Sequence, residues 1–385
     1  MRPAEPHTET LNVFERLGLR WMLGRTRSDR PALSHWPGKV LESIKKIERS
    51  TLIQAGFLGA VSGALFGLTE LGLLAWFGED RGGATWSDQW PYWVMFAVFG
   101  LLISVAEIAL LYWRILRAAG RVGTLAGLDM DRDDVQRMIV LGMSRAALNM
   151  PNPRAEVHGV DPYSRLPRWK LIMYAVFYRL KVGATSMMVR LILRRIVARA
   201  AIRSIIPFAA IGVYAFWNII ITYWILREAR IRAAGPNALR DLDELTKEDC
   251  STLEPSERQL LFKAVGETVI LSQDAHPNYV LLLGQILDRC GLDADKIEGE
   301  WDNQVLKDNK PDDKTRLVLL RTLTTATILC GSPRKAQREF LAEVAEHCGH
   351  QLNRDRLNRV QRGVYEGQGV EASQLDAATP VRADN

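Results

Sequence analysis

The chain has 385 residues, 48% of them hydrophobic, and a formal net charge of +6. Residues 1–240 hold 32 Lys and Arg against 18 Asp and Glu, whereas residues 241–385 hold 18 against 26. The basic groups cluster around apolar runs rather than on a polar face, which argues against nucleic-acid binding and for a basic, membrane-facing part joined to an acidic soluble part.

Residues 1–50 form an amphipathic basic region. About fifty mostly polar residues precede any long apolar run, unlike a cleaved signal, whose apolar core starts early. In "KVLESIKKIERS" the pattern places Val40, Leu41, Ile44 and Ile47 on one side of a helix and Lys39, Lys45 and Lys46 on the other.

Two runs follow that are long enough to span a bilayer, which takes roughly 20 apolar residues. Residues 51–77 carry Glu70 as their one charge, and residues 91–113 carry only Glu107. The loop between them, "GEDRGGATWSDQW", is acidic. Lys and Arg lie outside both outer ends, so the positive-inside rule puts those ends in the cytoplasm. Trp76, Trp86, Trp90, Tyr92 and Trp93 at one end, with Tyr112 and Trp113 at the other, read as interfacial aromatic belts. A large soluble bundle with two unusually long core helices is the competing reading.

Gly56, Gly59, Gly63, Gly67 and Glu70 recur every three or four residues and share one helix face. Ala97, Gly100, Ser104 and Glu107 do the same on the second run. Two small-residue stripes predict close packing of the two helices on each other where lipid supplies no hydrophobic drive between them. In an antiparallel pair the two carboxylates lie about 10 Å deep from opposite ends, so they are not expected to meet. Each is a functional candidate, or else a packing group protonated or bonded to a neighbour.

Residues 120–150 return to a polar amphipathic helix, and "NMPNPRAEVHGVDPYSRLP" to a loop. "GRVGTLAG" has no preceding strand and the wrong spacing for a nucleotide loop. Between 169 and 203, Arg190, Arg194, Arg195, Arg199 and Arg203 form a basic ridge beside apolar residues. It fits a helix in an anionic headgroup layer, or the solvated face of a bundle helix.

Residues 204–226 are a third uncharged run, flanked by arginines on both sides. Asn218 is its most polar residue, and Pro207 and Asn218 are potential helix breaks. One crossing would put the acidic part outside. A re-entrant segment, or a second crossing from residues 171–189, would keep it in the cytoplasm, which suits four cysteines without a pairing framework.

A polar linker over 233–254 precedes a soluble helical domain over 255–362. "LLFKAVGETVILSQDAHPNYVLLLGQILDRCGL" (260–292) aligns with "LLRTLTTATILCGSPRKAQREFLAEVAEHCGH" (319–350), which predicts two helical hairpins, each closed by a Cys-Gly helix end. Residues 363–385 are polar, rich in small residues and expected to be disordered. Glu346, His347, Cys348 and His350 lie close in sequence, but His347 and Cys348 point apart on a helix, so no metal site is expected. No nucleophile–base pattern stands out; neither catalysis nor a cofactor is expected.

Two resemblances follow from these segments. "GAVSGALFGLTELGLL", "YWRILRAAGRVGTLAGLDMDRDD" and "RLILRRIVARAAIRSIIPFAAIGVYAFWNIIITYWILREARIRA" make residues 51–232 resemble the EcsC family, which implies membrane association. The duplicated region is similar to TerB-like domains of tellurite-resistance proteins. That family carries an acidic metal-binding inter-helix loop, whereas "SQDAHPNY" keeps only Asp274 and "CGSPRKAQRE" is basic. The resemblance therefore implies a protein-interaction module rather than a metal site.

The whole is read as an all-α, multi-pass protein of a bacterial inner membrane with a cytoplasmic helical domain. Its partners are membrane lipids and a protein bound by that domain, with homo-oligomers open. The expected role is a non-catalytic scaffold, sensor or regulator, in a stress response or transport. The alternatives are a soluble or peripheral protein binding lipid or an apolar ligand, and an oligomeric transporter or channel using Glu70 and Glu107.

Overall fold

The computed structural model describes residues 35–78, 86–127, 157–167, 169–171, 206–293, 297, 301, 306 and 311–382, and for 86–89, 206–210 and 248–251 the backbone alone. Most described residues are helical, and β pairing among them is limited to the isolated bridges Val157–Val160 and His350–Val381. The chain divides into two compact units. One comprises Ile44–Ala119 and Phe177–Arg227; the other comprises Met1–Ser43, Gly120–Val176 and Glu228–Asn385.

Three long helices carry the apolar runs: α1 (Gly38–Phe77), α2 (Trp86–Leu125) and α3 (Ile206–Thr252). The boundary expected at residue 50 is not a break. No Gly or Pro interrupts "KVLESIKKIERSTLIQ", so the basic amphipathic turns run directly into the apolar ones. Nor does Asn218 break α3, and Pro207 lies in the first turn, where its missing N–H costs no helical hydrogen bond.

Contacts in the Ile44–Ala119 unit pair α1 with α2 in opposite directions. Arg114 Nη1 donates to Gln54 Oε1 at 2.7 Å, Ser62 bonds Glu107, and Gly100 faces Phe66. Phe77 meets Tyr92 edge-on, with ring centroids 6.1 Å apart. Phe66, Leu73, Tyr92 and Phe96 form a small aromatic-rich cluster, joined from α3 by Tyr214.

The larger core belongs to the other unit. The remaining helices are α4 (Pro255–Ser272), α5 (Pro277–Cys290), α6 (Asp313–Ile328), α7 (Lys335–His347), α8 (Arg354–Tyr365) and α9 (Ala372–Ala378). Helix α4 packs on α5, α6 and α7, and α6 also touches α8 and α9. Starts are capped locally: Asp312 Oδ1 accepts from Thr315 N at 2.7 Å, and Asn353 Oδ1 accepts from Arg356 N. As the Cys-Gly pairs predict, α5 and α7 stop there. Gly291 and Gly349 take positive φ, while Cys290 and Cys348 are buried.

Two segment assignments are corrected by this unit. Residues 233–254, expected as a polar linker, continue α3 as far as Thr252, and Ala233, Ala234, Ala238, Leu239 and Leu242 are buried. Small side chains let neighbours close on this stretch; Gly235 lies directly against the Asn278 side chain. The tail expected to be disordered is ordered as far as Arg382. Val364, Val370, Leu375 and Ala378 are buried, Arg321 forms a two-pronged ion pair with Asp376, and Val370 N–H donates to Asp241 Oδ2 at 3.0 Å. A few apolar residues spaced along a polar segment suffice because specific backbone partners hold it, including Asn353 N to Ala378 O.

Candidate functional site

The glycine face of α1 meets α3, not only α2. A Cβ on Gly59 would strike the Tyr214 carbonyl and lie 2.8 Å from Ala215 Cα, both main-chain atoms. On Gly56 it would lie 2.8 Å from the side-chain tip of Ile219. Glycine at 59 is thus what permits backbone-to-backbone approach of α1 and α3. The expected packing of the stripe on α2 is thus joined by a contact with α3, which pairing neighbours in the chain did not include. Gly63 and Gly67 are also buried. On α2, Gly100 and Ser104 are buried but Ala97 is exposed. Its position falls at the rim of a buried band formed by Tyr92, Phe96, Gly100, Glu107 and Leu111.

Within this approach lies a polar cluster drawn from all three helices. Glu107, 4% exposed, accepts a short hydrogen bond on Oε2 from Ser62 Oγ of α1. Its Oε1 accepts from Asn218 Nδ2 of α3 at 2.7 Å. Asn218 is 1% exposed, and Thr222, one turn on, is fully buried. Among the described residues, Asn218 Oδ1 and Thr222 Oγ1 have no hydrogen-bond partner. Of the sequence-predicted polar residues, Glu107 and Asn218 therefore come together; Glu70 is half-buried and is not among these bonds. Sequence reasoning missed Ser62. A serine among glycines on the buried face, opposite Glu107 in an antiparallel register, was the available signal.

Around this polar interior the outer surface is apolar. Among the described residues, every exposed large hydrophobic residue apart from Trp169 and Val381 lies on these three helices, with Phe57 at 67% and Trp76 at 81%. The described residues include two helical stretches long and apolar enough to cross a membrane, in α1 and in α2 from Trp90, and only 28% and 22% of their most apolar portions are buried. The basic ridge Arg190, Arg194, Arg195, Arg199 and Arg203 lies outside the described residues.

A second polar cluster occupies the other unit. His276 caps α5, its Nδ1 accepting from Asn278 N at 3.1 Å, and its Nε2 lies 3.0 Å from Glu228 Oε1. Arg232 Nε donates to the same oxygen at 2.9 Å. Burial raises the Glu228 carboxyl, but His276 and Arg232 beside it outweigh burial and hold it at about 2. With the folded value below the usual 4.5, this group contributes stability above that value and loses it as pH falls towards about 2. Burial pushes the Cys348 thiol up to about 11. Among the described residues no three His, Cys, Asp or Glu side chains converge as metal ligands. His347 and His350 turn to the carbonyls of Glu343 and Thr379 instead.

Comparison with protein-family models, curated proteins and solved structures found no match.

Proposed function

We propose that the chain is an integral membrane protein whose apolar helices lie in lipid and whose acidic helical unit is displayed in the cytoplasm as a non-catalytic scaffold, sensor or regulator. One observation carries the membrane part. Burial on α1, α2 and the first half of α3 is largely inverted, with Gly, Ser, Asn, Thr and Glu107 inside beside a small aromatic cluster and most Trp, Leu, Val and Phe side chains outside. In water each such exposed side chain forgoes about 1.5–3 kcal/mol of burial, whereas in hydrocarbon there is no penalty. A soluble bundle would bury its most apolar helices, and here less than a third of those stretches is buried.

The cytoplasmic side is favoured by the free thiols of Cys290, Cys330 and Cys348 and by the basic flanks of α1 and α2. The interaction role rests on the duplicated helix pattern and the TerB-like resemblance, and the EcsC resemblance of the apolar part agrees with a membrane location. In alkaline carbonate extraction of membranes from expressing cells, the protein is expected in the pellet. Recovery in the supernatant would refute membrane integration and favour the soluble, apolar-ligand-binding alternative.

A further inference from the structure

We propose that Glu107 is a proton-binding site, exchanging a proton inside the contact of α1, α2 and α3. The inference deepens the membrane reading and rests on it. The ionised carboxylate is provided for: Ser62 O–H donates to Oε2 and Asn218 N–H to Oε1.

The protonated acid can be provided for as well. On the same helix the hydroxyls of Ser43, Thr51 and Thr69 each donate to the carbonyl four residues back, at 2.8 Å. The equivalent acceptor for Ser62 is the Leu58 carbonyl. A Ser62 hydroxyl turned that way offers its lone pair to a Glu107 O–H, while Asn218 continues to donate to the other oxygen. Both protonation states therefore keep their partners, and the exchange is a carboxylic acid releasing H⁺ to water with no other bond changed.

A second observation points to a guest at this place. Asn218 Oδ1, on the same amide that bonds Glu107, and the Thr222 hydroxyl on the same buried face have no partner among the described residues, and an unsatisfied buried polar group is costly. They could receive the water that carries the proton.

Among the described residues, the ionisable groups on the apolar stretches of the packed helices are few. Glu70 is the one charge of α1 between Thr51 and Phe77, and α3 has none from Ile206 to Leu226. Arg114 lies two turns along α2 with a bond to Gln54, and the tyrosines are Tyr92, Tyr112, Tyr214 and Tyr223.

The test is infrared titration of the full chain in lipid nanodiscs. A protonated-carboxyl stretching band is expected to grow as pH falls, to disappear in Glu107→Gln and to persist in Glu70→Gln. Superimposable wild-type and Glu107→Gln spectra across the range would overturn the proposal. Should Glu107→Gln fail to fold, an apolar carbodiimide, which attacks protonated buried carboxyls, decides on the wild type. A Glu107 adduct that declines as pH rises supports the site, and no adduct at any pH overturns it. These readouts concern Glu107 itself, so they can fail while carbonate extraction succeeds, and the reverse.

Discussion

Gly59→Ala is expected to be the most damaging single-methyl change in the apolar helices. The new Cβ would meet the Tyr214 carbonyl group and Ala215 Cα, main-chain atoms that cannot rotate away. Overpacking costs about 1–3 kcal/mol when side chains can yield, and a backbone obstacle places this variant at or above the upper end. Gly56→Ala meets only the flexible tip of Ile219 and should cost less. Gly72→Ala meets nothing within 4 Å and should be neutral or slightly stabilising, since alanine favours helix. Thermal unfolding of the three variants in detergent, followed by size-exclusion chromatography, reads the order directly. Equal midpoints for Gly59→Ala and Gly72→Ala would contradict the close approach of α1 and α3.

Asn278→Ala is expected to be the corresponding lesion in the larger unit, at about 1–3 kcal/mol from the buried Leu329 carbonyl it leaves without a donor. Asn278 is fully buried, and its Nδ2 donates to Ile231 O at 3.2 Å and to Leu329 O at 3.1 Å. Leu329 is the C-cap of α6, where helical carbonyls lack partners, and Ile231 lies on α3 one residue before Arg232, the carbonyl that Pro236 leaves without its helical donor. The side chain thereby ties α3, α5 and α6 together. Urea unfolding followed by the helical circular dichroism signal is expected to show an early loss in the variant, with hydrogen exchange rising first in α5 and at the end of α6. A wild-type midpoint would show that the amide is dispensable.

These two residues show what was legible in the sequence and what was not. Uninterrupted hydropathy located α1, α2 and the apolar half of α3, because helix length and lipid compatibility are properties of a run of residues. The three-to-four spacing likewise identified a glycine face. Its partner was not legible, since Gly59 meets a helix about 150 residues further along and nothing local encodes that choice. Glu107 and Asn218 stood out as polar residues in apolar runs, yet their hydrogen bond depends on the same long-range packing. The C-terminal segment misled for a related reason. Its composition is that of a disordered tail, but Trp36 N–H donating to Gly367 O and Asp241 accepting from Val370 give it partners far away in the chain. In α3 the polar "AAGPNALRDLDEL" reads as a linker only while the core it packs against is unknown.

The outward-facing Phe, Leu and Trp side chains of α1, α2 and α3 are expected to contact hydrocarbon. Spin labels on single cysteines at Phe57, Val98 and Phe216, in a background with the native cysteines replaced, test it in proteoliposomes. All three labels are expected to be readily relaxed by oxygen and shielded from a water-soluble nickel relaxant, with the opposite pattern at exposed Arg359. Strong nickel relaxation at all three apolar positions would place those faces in water and contradict the account.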